Sequence, residues 1–260
     1  MFVLADLLRR PDTAPLAAAA LSDGAPGSRP CGMNSTAVDL LLAMVAGGGR
    51  LGRTLPAAAS VYYGLRTEPL RGALMANPNL LDALHTSIIP GYTTSCFSAA
   101  TLAELLRPEP EGERAAAVVR LFTTPDPRVS RERDPLRFHA LGHLLWQLND
   151  FVDKGDEPDR AMGWPQTHFA TRGHHVRRAA VELLPMIVRA AGPEQRRTIV
   201  REGGPFLPMS CRACADRLQA AGDEGGRAAA AELLAAARLL RDAAAEGGDA
   251  AGAESFDIAV

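Results

Sequence analysis

Lysine is almost missing from this chain: Lys154 is the only one among 28 basic residues, which face 30 acidic ones for a formal net charge of −2. The rest are arginines, and with 24 glycines, 19 prolines and repeated alanine runs they reflect GC-rich coding more than selection for guanidinium chemistry. A balance this close to neutral provides no surplus of cations on one face, which excludes nucleic acid and anionic membrane as partners drawn by charge. Cysteine is scarce too. Cys31, Cys96, Cys211 and Cys214 in 260 residues are too sparse for a secreted disulfide scaffold and suit a reducing cytoplasm. Long apolar runs are absent: the window Ala37–Ala46 is interrupted by Asp39 and falls far below the roughly 20 residues that span a bilayer. Met1–Arg10 carries Asp6 within its apolar run and Arg9 and Arg10 after it, the reverse of the charged-then-apolar order of a signal peptide. Alternating β-branched runs are nearly missing, which leaves helices to build the core.

What is present is helical periodicity broken by proline and glycine. Ser35 or Thr36 stands as a cap before Val38, Leu41, Leu42 and Val45, which recur on one helical face until Gly47, Gly48 and Gly49 stop it. Shorter helices are expected near 57–65, 69–76 and 79–89, a further one over 98–107 capped by Ser98, and another over 111–122. Asp134-Pro135 opens a long helix to about Lys154, since aspartate caps and proline fits the first helical position. A second long helix fits 166–191, kinked at Pro185, and two more fit 205–221 and 227–245. The expected architecture is mainly α, a multi-helix orthogonal or bundle-like fold. A flexible arm is expected over 1–34 and one all-helical domain over 35–246, which admits a subdivision near 123–134. A frayed tail covers 247–260.

The distinctive chemistry lies in the two long helices. At about 100° per residue, His139, His143, Trp146, Asp150 and Asp153 share one narrow stripe, while Leu141, Leu144, Leu145, Leu148 and Val152 take the other side. An amphipathic helix with its leucines inward and this stripe in water accounts for the pattern in outline. A solvent face, however, favours Lys, Arg and Glu, and exposing a tryptophan is costly, so the composition points to a covered pocket. The next helix carries His168, Arg172, His175 and Glu182 at matching spacing. A compact turn over 155–165 makes the two helices antiparallel and brings Asp150 near Arg172, Trp146 near His175, and His139 near Glu182.

Neutral imidazole and carboxylate form a ligand set for iron, zinc or manganese, and histidines at i and i+4 reach one ion from a single face. A haem needs only one or two of them, with Trp146, Phe138 or Phe169 as apolar walls. The expectation is a small-molecule oxidoreductase using iron, as haem or as a non-haem centre. His139, His143, His175 and Glu182 are the expected metal ligands, and His139, His143 and Trp146 hold the cofactor. Asp150 orients or completes the ligands, and Arg172 holds an acidic group of the substrate. Proton transfer by His143 or His175 beside Asp150 would need no metal. A non-catalytic helical interaction module, with a partner over Trp146, is the remaining expectation.

The segment from Gln147 to Glu157, with Asn149, Asp150, Asp153 and Glu157, resembles the second acidic motif of class I isoprenoid synthases. The run from Gly48 to Arg53 faintly resembles that family's diphosphate-binding Gly-Gly-x-Arg segment. The resemblance implies Mg2+ held by Asn149 or Asp150, Asp153 and Glu157 against a prenyl diphosphate. It spans some thirty residues, and no aspartate-rich first motif stands upstream.

Other signals point to structure. Gly47-x-Gly49-x-x-Gly52 matches the dinucleotide fingerprint only formally, because a helix precedes it where that motif needs a strand. His85, among Leu81, Leu84 and Ile88, reads as a core histidine. Cys211-Arg212-Ala213-Cys214, placed near a helix start, has the spacing of a redox pair, although no βαβ unit accompanies it; two buried reduced thiols are the default.

Overall fold

A computed structural model describes residues 2–22, 36–47, 51–88, 94–109, 112–124, 141–142, 144–145, 174–220 and 222–257. Among these residues there are 13 helices and no strand, so the fold is mainly α. None of the described helices is long and apolar enough to cross a membrane. The chain divides into two compact units, Met1–Thr101 and Leu102–Val260. The division falls inside the helix over Thr94–Leu106, and most of the charged segment near 123–134 lies outside the described residues.

Unit 1 is built on α1 (Phe2–Arg9), α2 (Ala14–Ser22), α3 (Ala37–Ala46), α4 (Leu51–Gly64), α5 (Leu70–Ala76), α6 (Leu80–Thr86) and most of α7 (Thr94–Leu106). The central helix is α4, on which every residue from Ala57 to Tyr63 is buried and against which α1, α3 and α5 pack. A helix apolar on all sides is stable only when neighbours enclose it. The helix is described from Leu51 and runs through Pro56, where the local signal predicts a start after the proline. The Ser60 hydroxyl is also enclosed, and it donates to the Pro56 carbonyl at 2.7 Å.

Of the arm expected over 1–34, the structure describes residues 2–22. Residues 2–22 are folded: α1 lies on α4, α2 packs against α1, α3 and α5, and Ala5, Leu8, Ala14 and Ala18 are buried. Alanine-rich surfaces bury little area per residue but let helix backbones approach closely, and this packing holds the segment. Residues 23–34 lie outside the described residues.

Helix α3 follows the sequence closely. Thr36 is its N-cap, with its hydroxyl accepting from the Asp39 backbone N–H at 3.1 Å and its own N–H donating to the Asp39 carboxylate at 2.8 Å. This reciprocal pair satisfies two orphan donors of the first turn. Val38, Leu41, Leu42 and Val45 are the buried face, and Gly47 ends the helix. The other Asp39 oxygen accepts from Asn77 Nδ2 at 2.7 Å, tying α3 to the end of α5. These bonds from Thr36 and Asn77 hold the Asp39 carboxyl below its ordinary pKa, and Arg9 and Arg10 do the same for Asp6. A carboxylate with a depressed folded pKa stabilises the fold above the unfolded value of about 4, and this is lost as pH falls through the folded value. Denaturant midpoints are therefore expected to drop between pH 5 and 3, by less in Asp39→Asn; an unchanged slope in that variant would separate Asp39 from the acid response.

Unit 2 begins with the end of α7 and continues through α8 (Glu113–Thr123), α9 (His174–Ala190), α10 (Pro193–Gly203), α11 (Phe206–Ala220), α12 (Glu224–Glu246) and α13 (Ala250–Asp257). The hub is α12, whose face of Ala229, Leu233, Ala236, Ala237, Leu240 and Ala244 meets α9, α10, α11 and α13. Asp223 caps it, accepting from the Gly226 backbone N–H at 2.6 Å. Helix α9 continues through Pro185, and α8 packs against both α9 and α10.

The expected frayed tail over 247–260 is corrected for residues up to Asp257. Gly248, at φ 77°, reverses the chain, Asp249 accepts from the Gly252 N–H at 2.9 Å, and α13 folds back on α12 with Phe256 buried. One aromatic ring in a small-residue segment supplies too weak a periodic signal to be read locally. Ser98, expected as a cap, is instead buried within α7, which begins at Thr94.

Candidate functional site

Of the segment expected as a helix over 135–154, the described residues are Leu141, Gly142, Leu144 and Leu145. All four are helical and buried. A Cβ on Gly142 would lie 3.6 Å from the backbone of Leu207, so the start of α11 packs directly against this stretch. The three leucines are buried as the periodicity predicts, and Gly142, which at about 100° per residue lies nearer to the position of Trp146 than to Leu141, is packed as well. His139, His143, Trp146, Asp150, Asp153, His168 and Arg172 lie outside the described residues, as does the acidic run from Gln147 to Glu157.

Helix α9 is described from His174 onward, with His175 on helical backbone. Val176, Ala180, Leu183, Leu184 and Ile187 form its buried side. Glu182 lies on the accessible side, where Arg107 Nη2 donates to its Oε2 at 2.6 Å. The same guanidinium donates through Nη1 to Glu104 at 2.8 Å, so one cation just beyond α7 joins carboxylates from two helices. The hydrogen bond to Glu182, with Glu104 adding its charge, pushes the Arg107 pKa further up. An exposed pair of this kind contributes at most about 1 kcal/mol. It also occupies the carboxylate that the sequence reading assigns to a metal. Arg107 is absent from that reading because no local pattern links residues 75 positions apart.

Among the described residues, no group of three or more His, Cys, Asp or Glu side chains is arranged to hold a metal ion. His85 is buried in α6, as its leucine neighbours predict. Beside it in sequence, the Ser87 hydroxyl donates to the Leu84 carbonyl at 2.8 Å and shares a 2.5 Å hydrogen bond with the Ser98 hydroxyl, joining the end of α6 to α7. Tyr62, Tyr63 and Phe97 form an edge-to-face aromatic cluster with ring centroids 5.2–6.3 Å apart, and the Arg66 guanidinium carbon lies 4.4 Å from the Tyr62 ring centroid. These groups are core and core-rim features of unit 1.

No family model, curated protein or solved structure matches this chain.

The Cys211/Cys214 pair does not stand at a helix start. Both residues are buried more than a turn inside α11, where the favourable effect of the helix dipole on a thiolate has faded. Burial, with Cys214 adding to it, pushes the Cys211 thiol well up. The thiolate needed for exchange or metal binding is disfavoured, and the two side chains act as small apolar groups in the core. Alkylation by iodoacetamide, followed by peptide mass spectrometry, is expected to label Cys211 and Cys214 only after denaturation. Labelling of the folded protein within minutes would contradict this packing.

Proposed function

We propose that this protein is a small-molecule oxidoreductase with an iron centre, haem or non-haem, held by histidines of the 135–154 segment and of the start of α9. His139 and His143, one helical turn apart, supply two ligands and His175 a third. Trp146 walls the cofactor, Asp150 orients an imidazole or completes the ligand set, and Arg172 holds an acidic group of the substrate. Glu182 would join the ligand set by giving up its weak ion pair with Arg107.

The reading is supported by the burial of Leu141, Leu144 and Leu145 on helical backbone. The register that turns those leucines inward assigns His139, His143 and Trp146, by spacing alone, to a common stripe on the other side. The composition of that stripe suits ligation better than solvation.

The test is the absorption spectrum and elemental analysis of freshly purified protein carrying no histidine tag. A Soret band is expected for haem, or stoichiometric iron without one for a non-haem centre. Either should be lost in His139→Ala/His143→Ala while far-ultraviolet circular dichroism stays unchanged. Protein lacking both chromophore and metal would overturn the proposal. Mg2+-dependent diphosphate release requiring Asp150 and Asp153, but tolerating the histidine substitutions, would replace it with the isoprenoid-type reading.

A further inference from the structure

We draw no further inference here: the strongest candidate, the Cys211/Cys214 pair inside α11, is enclosed as small core side chains, and nothing among the described residues places a metal, ligand or oxidant site at it.

Discussion

Leu233→Ala is expected to destabilise unit 2 by about 2–5 kcal/mol, toward the upper part of the range found for buried leucines. Leu233 is fully buried in α12, the helix on which α9, α10, α11 and α13 all rest. The loss depends on how far neighbours can move into the space left behind. Here they have little freedom, because the flanking positions Ala229, Ala230, Ala236 and Ala237 already bring the helices close through backbone and methyl contacts. At about 2–4 °C per kcal/mol for a unit of this size, the unfolding midpoint should fall by about 5–15 °C. Calorimetry checks it. A fall of only a degree or so would mean that the α12 face is looser than its alanines imply.

Gly226→Ala is expected to destabilise by about 1–3 kcal/mol, opposite in sign to the usual helical trend. In an unconstrained helix interior, alanine is favoured over glycine by about 1 kcal/mol. At Gly226, however, a Cβ would lie 2.6 Å from the Leu218 carbonyl oxygen and 3.4 Å from the capping Asp223 carboxylate. The nearest obstacle is backbone in the last turn of α11, which cannot rotate away as a side chain would. The methyl group must therefore push α11 and α12 apart or strain the cap. Gly72→Ala is the control: at this exposed position of α5 its Cβ would meet only the Glu68 carboxylate at 3.5 Å. That change should stabilise by about 0.5–1 kcal/mol. Urea denaturation of the two variants should give midpoints shifted in opposite directions; stabilisation by both would show that α11 yields easily at Leu218.

The same contrast between local and distant causes separates what was legible in this chain from what was not. Helix α3 could be read almost residue by residue, because its cap, its Val38–Val45 stripe and its glycine stop all act within a few positions of one another. The burial of Leu141, Leu144 and Leu145 followed from helical spacing in the same way. At the candidate site the spacing of Glu182 was visible, but its ion pair with Arg107 was not, since the separation of those residues in space depends on how α7 and α9 pack.

The sequence alone determined the helical class of the protein and the apolar side of its strongly periodic helices, and it supplies the histidine and aspartate spacing on which the functional proposal rests. Tertiary structure decided that Phe2–Ser22 and Ala250–Asp257 are folded, that α4 runs through Pro56, and that Cys211 is a core thiol instead of a reactive one. The reason is physical. A cap or an apolar stripe is set by neighbours in the chain, whereas burial, which stabilises weak helices and raises a thiol pKa, is set by elements far away in sequence.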